Sequence, residues 1–294
     1  MSRKGILLFL AVGIAWGIPY FFIRIALEHF STESIVFGRV IIGAAILIPF
    51  AIATKALMPA LKAWRWVLAF AVIEMVIPWW LITDAERHVS SGLAGLMIAT
   101  TPFYGLLIGY FVQGDKSIRH PKTIIGLIVG FVGVALLVGI DTFSGHLDGI
   151  SILKLVFAAI GYAVAPAIAA EKLGSVPTAG VMSLSMAIVA VVYAGPALAK
   201  LPAEFAANPP IEAWVAILML GVVCSAIAFI LFFKLVREIG SGRATMITYV
   251  NMAVAIILGV VLLGEPVTTG MLIGFPMVLI GAYFATVKHE VKGH

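Results

Sequence analysis

The chain has 294 residues, of which 62% are hydrophobic and only 11% charged, with a formal net charge of +5 and a mean hydropathy of +1.14. A soluble domain cannot hold so apolar a chain in water, so the composition excludes a soluble enzyme or binding module and describes an integral membrane protein. Its one cysteine, Cys224, excludes a disulfide framework and a thiolate metal centre.

Apolar runs of about 20 residues, the length that crosses the hydrocarbon core, predict ten transmembrane helices. They lie at 5–25, 34–54, 65–84, 92–112, 122–140, 150–170, 178–198, 212–233, 243–263 and 268–287. The first follows Arg3 and Lys4 as the core of a signal peptide would, but it is too long and lacks a small-residue cleavage site, so it is expected to remain as a helix. Within it Trp16, Tyr20 and Arg24 share one face at a spacing of four. Arg24 reads equally as an arginine reaching the outer headgroups. Trp16 sits near the helix centre beside Gly17 and Pro19, away from the interface where most tryptophans anchor, and so is expected to line a cavity.

The third helix carries Glu74 halfway along, the most costly depth for a carboxylate. It is either a proton-coupling group or a hydrogen-bonded structural residue. Pro78 frees the carbonyl one turn back, at Glu74. Of Trp79 and Trp80 one is expected to face inward, and periodicity does not decide which. In the fourth helix Thr100, Thr101 and Tyr104 share a face with Met97, as Thr245, Thr248, Tyr249 and Met252 do in the ninth. Threonine hydroxyls can instead bond back to their own helix. Tyr104, Tyr162 and Tyr249, with Ser225 and Asn251, are the better candidates for polar contacts in an aromatic pocket. Pro166 is expected to break the sixth helix near Tyr162. No closely placed pair of buried charges is evident for the two ends of a zwitterion. The expected cavity therefore recognises size and aromatic surface.

Glycine pairs at a spacing of four (Gly13 and Gly17, Gly105 and Gly109, Gly126 and Gly130, Gly270 and Gly274) read as close helix contacts. The links between helices are too short for a soluble domain. Counted by alternate loops, 14 Lys and Arg fall on the side of the N-terminus and five on the other (Arg24, Arg39, Arg87, Lys154 and Lys200). By the positive-inside rule both termini are then cytoplasmic. The charges are not gathered with aromatics as nucleic-acid binding requires. There is no H-E-x-x-H, no G-x-S-x-G and no phosphate-binding G-x-x-x-x-G-K-[ST], so no enzyme, metal or cofactor is expected. Neither a ring of charges nor a filter-like loop suggests a channel.

The chain also repeats itself. Ser91-Gly92 matches Ser241-Gly242, Ala94 matches Ala244, Gly109 matches Gly259 and Gly114-Asp115 matches Gly264-Glu265, all at a shift of 150 residues. Gly126 and Gly133 match Gly274 and Gly281 at a shift of 148, as Phe9, Gly13 and Ala15 match Phe157, Gly161 and Ala163. Five helices per half is odd, so the second half must enter the membrane inverted. The expected fold is an all-α integral membrane protein of ten transmembrane helices in two inverted five-helix repeats, 1–140 and 149–288. Its substrate site is expected near the midplane between them.

Ala15-Trp16-Gly17, Ala99-Thr100-Thr101-Pro102, Gly264-Glu265-Pro266 and the glycine-rich fifth and tenth helices together resemble the drug/metabolite transporter superfamily of EamA type, over essentially the whole chain. Within it the sequence is most similar to amino-acid exporters of the YddG type. The resemblance implies alternating-access export of small metabolites, aromatic and other neutral amino acids included, from a bacterial cytoplasm across the inner membrane. A monomer or weak homodimer in lipid is expected. Proton-coupled efflux of drugs or cations is the alternative within transport, and a channel-like pore the alternative outside it. The sequence departs from the family at Gly114-Asp115-Lys116, where many relatives have Gly-Glu, and at Asn251-Met252, where Glu-Pro is common. The helix break expected at Pro102 thus has no partner at Met252, and the halves need not move alike.

Overall fold

A computed structural model describes residues 2–113, 120–143, 148–239 and 247–286. Gly114-Asp115-Lys116, Ser241-Gly242, Ala244 and Thr245 lie outside them. The described residues are helical, with no strand among them. Among the described residues ten apolar helices run in chain order: α1 (Arg3–Leu27), α2 (Thr32–Ala53), α3 (Trp64–Ala85), α4 (Ser91–Phe111), α5 (Pro121–Phe143), α6 (Gly149–Lys172), α7 (Thr178–Ala206), α8 (Ile211–Ile239), α9 (Ile247–Leu263) and α10 (Thr269–Thr286). Seven of them are long and apolar enough to cross a membrane, while α5, α9 and α10 contribute the shorter apolar stretches Pro121–Leu136, Ile247–Leu263 and Thr269–Gly281. α7 and α8, at 29 residues each, run past the predicted ends.

Local chemistry sets the starts and the breaks. Side-chain oxygens of Ser31, Ser90 and Asp148 accept from the backbone N–H three residues on, capping α2, α4 and α6. α1 is interrupted at Ile18, where Pro19 supplies no N–H. α4 is interrupted at Ala99 and Thr100, ahead of Pro102, and α9 runs unbroken. The break expected at Pro166 does not occur, because α6 is helical from Gly149 to Lys172. One missing N–H costs a membrane helix a single bond, and no water in the hydrocarbon competes for the rest. Two wide π-type turns were not foreseen: Val72–Val76 in α3 and Val222–Ile227 in α8. They begin 150 residues apart, the shift of the sequence repeat.

The main contacts pair α5 with α10, α2 with α7, α3 with α6, α1 with α8, α2 with α8, α3 with α7, α4 with α9, α4 with α6 and α1 with α9. Exchanging the first five helices for the last five maps this set onto itself. The pairings depend on missing side chains. A Cβ on Gly281 would stand 2.4 Å from the Gly130 nitrogen, and one on Gly13 or Gly17 would overlap Val250 or Val254 at 2.6 and 2.5 Å. These are closest approaches of α10 to α5 and of α1 to α9.

Candidate functional site

Arg39 lies seven residues into α2, about 10 Å below its start at 1.5 Å per residue, and is only 6% exposed. It was counted with the outer-loop charges, and the structure moves it into the bundle. Its guanidinium carbon sits 3.8 Å from the ring centre of Trp79 on α3, a cation–π contact. One terminal nitrogen donates a long bond, 3.4 Å, to the Ser225 hydroxyl in the wide turn of α8. Nε has no acceptor, and among the described residues no carboxylate forms an ion pair with it. Cys224, Tyr162, Tyr20 and Glu86 are close enough to act on its charge. Ser225 in turn donates to the Leu220 carbonyl at 2.8 Å, five residues back. That side-chain bond occupies an acceptor within the helical ladder where the turn of α8 widens.

Trp79 therefore faces inward, beneath the Arg39 guanidinium, and Tyr162 on α6 stands near that charge. Trp80 faces the end of the bundle, where its indole donates to Glu33 at 3.4 Å. Glu74, in the wide turn of α3, is half-buried beside Tyr162, with Oε2 unpartnered. α6 presses on that turn, since a Cβ on Gly161 would come within 2.7 Å of the Ile73 carbonyl. Tyr20, 8% exposed, packs against α4 at Gly95. Trp16 meets Phe229 of α8 edge-on at 5.4 Å and Phe232 at a tilt at 4.8 Å. Trp79, Tyr162, Ser225 and Tyr20 thus gather about Arg39, with Glu74 beyond Tyr162.

The other candidates sit elsewhere. Thr100 and Thr101 donate to the carbonyls of Met97 and Ile98, each at 2.6 Å, closing the break in α4. Tyr104 lies beside Thr100 and edge-on to Phe131 of α5. Tyr249 lines an apolar cleft of about 500 Å³ with Leu279 and Tyr283 on α10. In the orientation that satisfies its amide, Asn251 donates to Ile247 of its own helix (3.0 Å) and to Gly13 of α1 (2.8 Å), which ties α9 to α1.

Glu86, just past the end of α3, is a further buried carboxyl at that end of the bundle. The residue is fully buried, with neither carboxyl oxygen partnered among the described residues, while Arg24 donates to its backbone carbonyl at 2.5 Å. Burial, reinforced by nearby Glu265, pushes its carboxyl well above the ordinary value, against the pull of Arg24 and Arg39. Glu265 itself caps α4, accepting from the Ser91 and Gly92 nitrogens at 2.8 and 3.2 Å and from the Ser91 hydroxyl at 2.9 Å. Gly264, at φ +64°, turns the chain so that this carboxylate can reach back.

At the end of the bundle formed by the start of α2 and the end of α3, ion pairs join the two halves. Asp84 pairs with Lys154, and Glu33 with Lys200 at 2.6 Å. The Ser31 nitrogen donates to Glu204 at 2.9 Å. A polar cleft of about 460 Å³ opens above them. At the opposite end Ser2 and Lys4 engage Glu238. Among the described residues no three His, Cys, Asp or Glu gather as metal ligands.

A model of the EamA-like transporter family matches residues 3–139 and again 149–287. The chain is 26% identical over 285 residues to the uncharacterized transporter YdfC of Bacillus subtilis, covering 95% of this chain and 89% of that one. It is 26% identical over 257 residues to the uncharacterized inner membrane transporter YedA of Escherichia coli, with 87% and 81% covered. Over 299 residues it is 22% identical to a protein of Salmonella typhimurium named probable amino-acid metabolite efflux pump, with 99% and 98% covered. A solved crystal structure superimposes with a TM-score of 0.65 at 17% identity over 98% of both chains. At that identity the likeness speaks for the fold alone.

Proposed function

Since the chain belongs to the EamA-like transporter family and is a multi-pass membrane protein, we propose that it exports small metabolites, aromatic and other neutral amino acids foremost, by alternating access. The ten helices then form two inverted five-helix repeats, with both termini cytoplasmic and the protein a monomer or weak homodimer in the inner membrane. The observation that carries this reading is the aromatic and hydroxyl cluster about Arg39. It takes Trp79 and Arg39 from one half and Tyr162 and Ser225 from the other, beside two wide turns related by the repeat shift. The exchange symmetry of the helix contacts supports it, as does the name of the Salmonella relative. Wide turns also suit a moving site, since their loosened ladders concentrate at functional positions.

A cationic-drug reading is disfavoured by the same cluster, because a buried guanidinium repels cations. Proton antiport remains a second reading on one observation, the unpartnered Oε2 of Glu74. Efflux of radiolabelled phenylalanine, threonine and methionine from proteoliposomes, with and without an imposed pH gradient, tests both. Efflux that ignores the gradient is expected and marks a facilitative exporter. Efflux only with inward proton flow assigns Glu74 the coupling role, and no efflux of any of the three removes amino acids as the substrate class.

A further inference from the structure

We propose that Arg39 is the anion-binding group of the transport site, taking the carboxylate of the transported metabolite edge-on while Trp79 covers one face of its guanidinium. The inference rests on the transport reading above and adds to it the chemical handle by which substrate is recognised.

A guanidinium offers five N–H donors in one plane and accepts nothing. Here the Trp79 ring covers a face of that plane, a contact that leaves the in-plane donors free. The described contacts use one of them, weakly, on Ser225 at 3.4 Å, and Nε has no acceptor among the described residues. Burying a charge without a hydrogen-bonded counter-ion is among the most costly arrangements in a protein interior, more so within a membrane. Glu86 is the nearby carboxyl that could neutralise it, but it forms no ion pair with Arg39 and its burial favours the neutral acid. A planar two-oxygen anion would satisfy the idle donors by the bidentate geometry that arginine prefers. The Ser225 hydroxyl meets one of these donors, and Tyr162 stands near the guanidinium. A guanidinium present only to brace Trp79 would need no idle in-plane donors.

The test compares ligands that differ at one group: L-phenylalanine, its amide, 3-phenylpropionate and 2-phenylethylamine. Their binding to the purified full-length protein is read by thermal shift titration, and phenylalanine export by proteoliposome efflux. The two carboxylates are expected to bind about 10- to 100-fold more tightly than the amide or amine, the range for hydrogen bonds to a charged group. Arg39→Gln should erase that preference and Arg39→Lys should keep part of it. The preference in the unaltered protein needs no variant, so poor folding of Arg39→Gln cannot hide a failure. Should the protein export phenylalanine yet bind its amide equally well, or keep its carboxylate preference in Arg39→Gln, the role of Arg39 is overturned and the export reading stands. Arg39-dependent binding of carboxylates without amino-acid export would uphold the anion site and remove the export reading. An unaltered protein that binds no carboxylate overturns the proposal.

Discussion

Glu86 and Asn251 are both polar side chains held among helices, yet they are satisfied in opposite ways. Asn251 matches its amide to two backbone carbonyls. Glu86 has, among the described residues, no partner for either oxygen, and its burial favours the neutral acid. The sign of the resulting pH dependence follows by linkage. Below the ordinary carboxyl value of 4.5 the group is neutral in both folded and unfolded chains and costs nothing electrostatically. As the pH rises, the unfolded chain ionises while the folded one holds its proton, so stability falls until the folded carboxyl ionises too. Glu86→Gln removes this loss. In thermal unfolding of the detergent-solubilised protein, the variant should melt above the unaltered protein at pH 7 to 8, by about 2–4 °C for each kcal/mol recovered. The two should converge near pH 4.5, and parallel melting curves at every pH would mean that Glu86 has a partner in solution. Arg39 teaches the complementary point: a charge seven residues into a helix is already too deep to belong to the loop.

At the scale of helices, glycines decide which pairs approach and wide turns decide where the ladder loosens. Gly281 has the Gly130 backbone at 2.4 Å from where a Cβ would stand and the Gly126 carbonyl at 2.6 Å. The obstruction is main chain on a facing helix, which cannot rotate away. Gly281→Ala should therefore push α10 from α5 and lower the yield of monodisperse protein in size-exclusion chromatography, at a cost of about 1–3 kcal/mol typical of overpacking. Gly105→Ala is the control, because a Cβ there meets nothing within 4 Å. Equal yields for the two variants would deny the tight seam. The two wide turns have different local causes. In α3 the turn precedes Pro78, which supplies no N–H, and in α8 it holds Ser225, whose hydroxyl takes a backbone carbonyl. The same feature thus arises at equivalent places from unlike residues.

For the whole molecule, the ion pairs Asp84 with Lys154 and Glu33 with Lys200 link the two halves at one end. On the proposed alternating-access reading, such contacts part when that end opens. Cys224, the only cysteine in the chain and 1% exposed, reports on opening because it lies beside Arg39. Replacing both lysines by glutamine should raise the rate of Cys224 alkylation by N-ethylmaleimide about two- to thirtyfold, if each pair contributes the roughly 0.2–1 kcal/mol usual for partly exposed pairs. An unchanged rate would show that these pairs do not hold the end closed.

Several parts of this architecture were legible in the chain. Apolar length gives the helices, because hydrocarbon leaves a backbone no other way to satisfy its hydrogen bonds. The duplicated glycines lead to the expectation of two related halves, and the family model matches two stretches, 3–139 and 149–287. The break in α4 near Pro102 and the unbroken α9 follow from a missing N–H in one and its presence in the other. What the sequence could not assign is the partner of each polar group. Thr100, Thr101 and Asn251 look like ligand contacts in a list of mid-helix polar residues, and only the facing carbonyls reveal where their hydrogen bonds go. Trp79 and Trp80 are adjacent in sequence, yet one lies under a guanidinium and the other meets Glu33 at the end of the bundle. Burial of Arg39 and Glu86 was likewise decided by the helices that cover them. Sequence by itself therefore determined that the chain is an all-helical, multi-pass membrane protein, because that depends on local hydrophobicity. The tertiary structure alone decided the site, because a site is made of distances between residues far apart in the chain.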